Sequence, residues 1–211
     1  KRAMTFDEMV NWKRITEQTI SRDGKWVACK MEPWRGDASL FVYNAKGEMP
    51  ASFLPAGHAE FSASSGYLLV TKKPELEKVE ALKLKKTKEE DMPSDELVIF
   101  NLREKKETID SLKSYKLSES ADWIAYRRNS KSDTVLHVRA LDGSKEMSFS
   151  DVKEFGFARK SNILYYSTDS TLCTYNPDKG SSLIFEGKGI ISKVTFNETG
   201  KGVEQICHVQ P

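Results

Sequence analysis

The sequence predicts an all-β fold: β-propeller blades of four antiparallel strands, with a short N-terminal helix and a charged helical insertion. Three observations carry that expectation. A ten-residue turn-and-strand element recurs along the chain, its copies are spaced near the period of one blade, and a second strand follows each of the first four copies at a similar phase.

The first copy, Ile20-Ser21-Arg22-Asp23-Gly24-Lys25-Trp26-Val27-Ala28-Cys29, aligns without gaps on Leu117-Ser118-Glu119-Ser120-Ala121-Asp122-Trp123-Ile124-Ala125-Tyr126. Weaker copies begin at Phe61, Phe157 and Phe196. The starts at 20, 61, 117, 157 and 196 are separated by 41, 56, 40 and 39 residues. A step of about 40 residues is the length of a four-stranded propeller blade. Within the element an apolar residue ends one strand, and a polar cluster such as Ser21 to Gly24 turns the chain. Ser and Asp bond their own backbone there, and Gly accepts positive φ. The next strand opens on a large residue and stays apolar: Trp26-Val27-Ala28-Cys29, Trp123-Ile124-Ala125-Tyr126, Ile163-Leu164-Tyr165-Tyr166. Continuous apolar runs suit strands covered on both faces. By their repeat position, Trp26 and Trp123 are both expected to lie buried between blades.

The second strand recurs as Leu40–Asn44, Leu97–Asn101, Leu136–Arg139 and Leu172–Asn176, with turn signals after it at 45–47, 141–143 and 178–180. Each unit is then four strands joined by turns. A β-sandwich of evenly spaced hairpins is the competing architecture. The doubled motif at fixed phase favours the propeller, which leaves only short, protected edges. Four units and part of a fifth are present, an incomplete propeller over 20–211 preceded by a lead-in over 1–19.

The 56-residue step holds an insertion at about 72–94. Pro74 suits a helix start, and Leu76, Val79 and Leu82 make a narrow apolar stripe. Glu75 and Glu77 precede a lysine-rich end, which complements the helix dipole. The expected element is a charged helix or arm between two strands of the second unit, either a solvated excursion or a docking arm. In the lead-in, Thr5-Phe6-Asp7-Glu8 is a capping-box pattern, with Phe6, Met9 and Val10 at helical spacing and Trp12 just beyond.

Composition excludes several classes. No apolar run approaches the length of a membrane-spanning helix, and no signal peptide is visible after Lys1-Arg2-Ala3-Met4. The 33 Lys and Arg stand against 31 Asp and Glu, so there is no concentrated basic face for nucleic acid. Cys29, Cys173 and Cys207 show neither a paired nor a metal-binding spacing and are expected to be ordinary thiols. No G-x-S-x-G nucleophile turn occurs; Ser39, within Gly36-Asp37-Ala38-Ser39-Leu40, is one place late and has leucine where the last glycine belongs. His58, His137 and His208 fit no metal or catalytic spacing. Asp133, Asp142 and Asp178 sit in turns that favour Asp for backbone reasons. No phosphate loop, dinucleotide glycine pattern or calcium loop is present. No catalytic, cofactor-binding or metal-binding residue is therefore assigned, and no cofactor is expected.

The run MTFDEMVNWKRITEQTISRDGKWVAC resembles the start of the propeller in prolyl-oligopeptidase-family serine peptidases, especially bacterial secreted members related to acylaminoacyl- and dipeptidyl-peptidases. Their turn-strand element, S-x-D-G-K-x-[LVI]-A, is matched by Ser21, Asp23, Gly24, Lys25, Val27 and Ala28. The KKPELEKVEALKLKK…LVIFNL segment also looks like a charged insertion in some such chains. The resemblance implies a non-catalytic propeller that caps an active site and limits entry to peptides. Its implied partners are a following α/β-hydrolase domain that holds the Ser, Asp and His, and peptide substrates. The paired glutamates of dipeptidyl-peptidase relatives are not identifiable. Family propellers have seven or eight blades, so the isolated chain would be expected to self-associate through its terminal blades. A periplasmic or secreted location is likewise implied. The same element occurs in TolB-like propellers, so a stand-alone binding module for protein or glycan is the alternative.

Overall fold

The computed structural model describes residues 2–10, 12–102, 106–129, 135–187, 190–196 and 203–209. It divides into two compact units, Lys1–Phe61 with Ser65–Leu112, and Ser62–Ser64 with Lys113–Pro211. The fold is all-β and propeller-like, built from antiparallel sheets.

In the first unit, helix α1 (Phe6–Val10) leads to β1 (Lys13–Ile20), β2 (Trp26–Pro33), β3 (Ser39–Asn44) and β4 (Ala51–Phe53), paired in that order. Strand β1 thus takes up the last part of the lead-in, 13–19. Next come β5 (Ala59–Phe61), β6 (Tyr67–Lys72), helix α2 (Leu76–Leu84), a 3-10 turn at Glu89–Asp91, β7 (Asp95–Asn101) and β8 (Lys106–Leu117), with strand order β5-β6-β7-β8. Strand β8 pairs with β7 as far as Leu112, beside Ser111 at φ 54°. The second unit continues from the end of β8 with β9 (Trp123–Arg128), β10 (Leu136–Ala140) and β11 (Glu146–Phe149). A four-stranded sheet follows, β12 (Glu154–Phe157), β13 (Leu164–Ser167), β14 (Thr171–Asn176) and β15 (Gly180–Glu186), and then the hairpin β16 (Ile190–Phe196) and β17 (Val203–Val209).

The repeated turn explains the repeated strands. The Ser21 hydroxyl donates to Asp23 at 2.6 Å and accepts the Trp26 N–H at 3.0 Å, and Asp23 accepts the Lys25 N–H at 3.1 Å. Gly24 adopts φ 71°, a conformation open to Gly without penalty. Ser21 N–H donates to the Trp26 carbonyl, and Ser118 N–H to that of Trp123, both at 2.9 Å. The two copies of the motif therefore make the same closure. The turns after β3, β10 and β14 carry Gly47, Gly143 and Gly180 at positive φ.

Each unit has a core made the same way. In the first, the face of the β1–β4 sheet bearing Ala28, Leu40, Val42 and Phe53 packs on the face of the next sheet bearing Leu68, Val70 and Val98. Phe53 meets Phe100 edge to face at 5.7 Å. In the second unit, Ala125, Leu136 and Val138 pack on Leu164, Tyr166 and Tyr175. Ala28 and Ala125 share one repeat position, and so do Leu68 and Leu164. One rule thus operates twice: the Ala face of one sheet meets the Leu face of the next.

Trp26 and Trp123 pack against these two cores but are only half-buried. Each opens its strand directly after the turn, so part of the indole reaches past the end of the sheet; Trp123 still meets Tyr175 at 6.5 Å.

The insertion carries α2 and the 3-10 turn between β6 and β7, and its stripe of Leu76, Val79 and Leu82 is half-buried while Leu84 is exposed. The loop after β2 holds it. Arg35 pairs with both Glu80 carboxylate oxygens at 2.9 and 3.1 Å, and Asp37 accepts the Leu76 N–H at 3.0 Å.

Candidate functional site

The site lies on the Ala face of the first sheet, beyond the end of the core. Along that face the apolar Ala28 gives way to the facing pair Glu17 and Lys30, then to Arg14 and Glu32. Trp12 and Trp34 follow past the strand ends. Arg14 and Glu17 are three residues apart, and regular alternation would send them to opposite faces. A bulge between Ile15 and Glu17 restores both to one side.

Glu17 is the hub of a charged cluster. Its carboxylate accepts from His58 Nδ1 at 2.6 Å, from the Ala59 N–H at 3.3 Å and from Lys30 Nζ at 3.2 Å, and Lys30 also reaches Glu32 at 3.1 Å. Burial pushes the Glu17 pKa up, but the Ala59 N–H, the Lys30 ammonium and the His58 charge outweigh it and hold the carboxyl below its ordinary value. Burial pulls Lys30 down, yet its bonds to Glu32 and Glu17 leave it raised. Both charges are thereby fixed, as a structural ion network requires.

Next to this cluster is a cavity of about 440 Å³ lined by Met4, Met9, Trp12, Arg14, Glu32 and Trp34. Helix α1 supplies one wall, and its capping box is formed: Thr5 N–H donates to Glu8 at 2.9 Å and Glu8 N–H to the Thr5 hydroxyl at 3.3 Å. The volume lies in the range of small-ligand and side-chain pockets. Apolar walls with one cation and one anion suit an apolar group that has a polar or charged end. Trp34 is 87% exposed and Trp12 61%, an unusual presentation of two indoles. A second, acidic cleft of about 650 Å³ is lined by Asp37, Glu75, Glu77 and Glu80 around Arg35.

The residues singled out by sequence scatter. Ser39 opens β3 opposite Met31. His58 joins Glu17, while His137 stacks on Tyr126 at 5.1 Å in the second unit. His208 lies in β17, opposite Ile191. Cys29 and Cys173 are half-buried free thiols, and Cys207 belongs to β17. Asp142 accepts the Ser144 N–H at 2.8 Å as a turn residue. The Asp178 N–H donates to Asn176 at 2.9 Å in its own turn, and Asp133 lies outside the described residues. Among the described residues no group of three or more His, Cys, Asp or Glu is placed to hold a metal ion, and no helix is long and apolar enough to cross a membrane.

No family model matches the chain, and no curated protein matches it. Solved structures do resemble it. A structure from a study of two prolyl endopeptidases is 12% identical at a TM-score of 0.53, over 87% of this chain and 30% of that one. Prolyl oligopeptidase B from Galerina marginata, bound to a hydrolysis and macrocyclization substrate, is 13% identical at 0.53, over 91% of this chain and 31% of that one. The C-terminal WD40 domain of Sif2 is 11% identical at 0.45, over 92% of this chain and 51% of that one. The chain spans about a third of the length of the prolyl peptidases it matches. At this identity the likeness is one of fold.

Proposed function

We propose that this chain is the non-catalytic propeller portion of a prolyl-oligopeptidase-like serine peptidase, and that it restricts access to an active site carried on an α/β-hydrolase domain. The observation that carries the reading is the fold likeness to two prolyl peptidase structures, each spanning nearly nine-tenths of this chain or more at a TM-score of 0.53. The surface offered to the catalytic domain is the one formed by Met4, Met9, Trp12 and Trp34. Exposed apolar groups around a pocket, rimmed by Arg14 and Glu32, have the composition of an inter-domain contact. The test is titration of a separately expressed hydrolase region of the parent into this chain, followed by tryptophan fluorescence and calorimetry. Binding is expected, and weakening of about tenfold or more by Trp34→Ala, as for an aromatic anchor. Absence of binding with both partners folded would refute the contact.

The ligand-sized cavity itself favours a second reading, a stand-alone propeller that binds protein, through an inserted side chain, or glycan. In that case Trp12 and Trp34 respond to such a ligand in the chain alone, and no hydrolase region is needed.

A further inference from the structure

The charged cluster of the first unit has a counterpart in the second from which both carboxylates are missing. On the alignment that matches Ala28 with Ala125, Lys30 matches Arg127, Glu17 matches Ser114 and Glu32 matches Asn129. The two frames are built alike: Gly57 N–H donates to the Thr71 carbonyl at 2.6 Å, and Lys153 N–H to the Ser167 carbonyl at 2.7 Å. Lys30 is held between Glu17 and Glu32. Arg127 has neither. Its Nη2 donates to the Val152 carbonyl at 2.6 Å, and the guanidinium lies over the Phe155 ring, 5.1 Å from its centre. Its Nε is buried and meets no acceptor among the described residues. Two neighbouring acids are turned elsewhere. Glu154 lies on the other face of β12 from Phe155, where its charge acts on Tyr165, and Asp169 pairs with Lys153 at 3.2 Å. Burial pulls the Arg127 pKa down, and no carboxylate among the described residues offsets it.

We propose that Arg127 is a binding site for a single carboxylate of a peptide, carried on an acidic side chain or at the C-terminus. A guanidinium with no counter-charge, partly withdrawn from water, gains more from an arriving carboxylate than a fully exposed cation does. The Val152 carbonyl and the Phe155 ring fix its plane in advance, which lowers the ordering cost of binding. Its hydrogen bond among the described residues is the one to Val152, so Nη1 is left to donate to a ligand. One uncompensated positive charge matches a carboxylate. A phosphate group, with up to two negative charges, calls for a second cation, and Lys153 is already paired. Arg127, Val152 and Phe155 all belong to the second unit. The inference does not rest on the peptidase reading and holds for a binding module as well.

NMR titration of the nitrogen-15-labelled chain tests it with three probes: acetyl-trialanine with a free C-terminus, its C-terminal amide, and that amide with glutamate at the central position. The two acids are expected to shift the Arg127 Nε–H and the backbone amides of 152–155 saturably, with Kd on the order of 1 mM. The neutral amide is expected to leave them unmoved. The two acids separate a chain end from a side chain as the source of the carboxylate, and a response to either supports the site. Arg127→Gln should weaken binding about tenfold or more, as loss of a hydrogen bond to a charged group does. Arg127→Lys keeps the charge but not the planar fork, and should bind between the two; it serves as well if the Gln variant fails to fold, which the remaining amide signals reveal. Lys153→Gln removes a neighbouring exposed cation and should change binding by no more than about twofold. No saturable response to either acid would overturn the proposal. So would an equal response to the neutral amide, binding that survives in Arg127→Gln, or an equal loss in Lys153→Gln.

Discussion

Truncation of one repeat position in successive sheets measures whether the sheets are covered as described. Leu164→Ala removes three carbons from a side chain that is 0% exposed and packed among Ala125, Val138 and Tyr175. At about 0.8 kcal/mol per buried carbon the transfer contribution is about 2.4 kcal/mol. The cavity left behind raises the total to about 3 kcal/mol, within the 2–5 kcal/mol seen for such truncations. Val27→Ala at the equivalent position removes two carbons from a half-exposed side chain, and the same reckoning gives about 0.8 kcal/mol. Urea unfolding followed by circular dichroism and tryptophan fluorescence separates the two. With a slope of about 1–3 kcal/mol per molar urea, Leu164→Ala should lower the midpoint of its unit by about 1–3 M and Val27→Ala by about 0.3–0.8 M. The work uses separate probes because two units can unfold apart. Equal losses from the two substitutions would refute the reasoning.

Three further outcomes follow from the local chemistry. Ser21→Ala removes the acceptor of the Trp26 N–H and the donor to Asp23 at a position 2% exposed, and should destabilise the first unit by about 1–3 kcal/mol in the same urea experiment. The Glu17 pKa is lower folded than its ordinary 4.5, so its stabilising contribution is present above that value and lost as pH falls through the folded pKa; acid titration of Glu17→Gln should show a shallower decline below about pH 4.5. Asp37→Ala deletes the acceptor that caps α2 in place of Glu75. It should loosen the helix by about 1 kcal/mol, read as faster amide exchange in 76–84 with β2 and β3 unchanged.

The elements that proved legible are those encoded within a few residues. Ser21, Asp23 and Gly24 specify a turn by bonding their own backbone, and the apolar run after them favours a strand, so β2, β9 and β13 emerge from the repeat; cover on both faces holds for β9 but not for β2, where Ala28 alone is buried. The capping box of Thr5 and Glu8 and the stripe of Leu76, Val79 and Leu82 are equally local, and α1 and α2 lie where they point. The candidate site was not legible. Glu17 and His58 are 41 residues apart and meet through tertiary structure. The single bulge that aligns Glu17 with Arg14 reverses what alternation implies. Trp34 follows a strand end, where no periodicity marks it, and only its isolation as an aromatic residue beside Pro33 could have drawn notice. Trp26 and Trp123 were placed correctly against the cores, but the sequence did not reveal that strand-opening positions leave an indole half in water.

The role of a propeller in substrate selection is tested most directly by the length dependence of peptide hydrolysis. The measurement is kcat/KM for a peptide series of increasing length, made on the full parent polypeptide and on the same polypeptide lacking residues 1–211. The expected result is a steep fall with length for the full protein and a flattened profile, with activity on short peptides retained, once the propeller portion is removed. A length dependence that is the same in both, or no peptidase activity in the intact parent, would contradict a gating role.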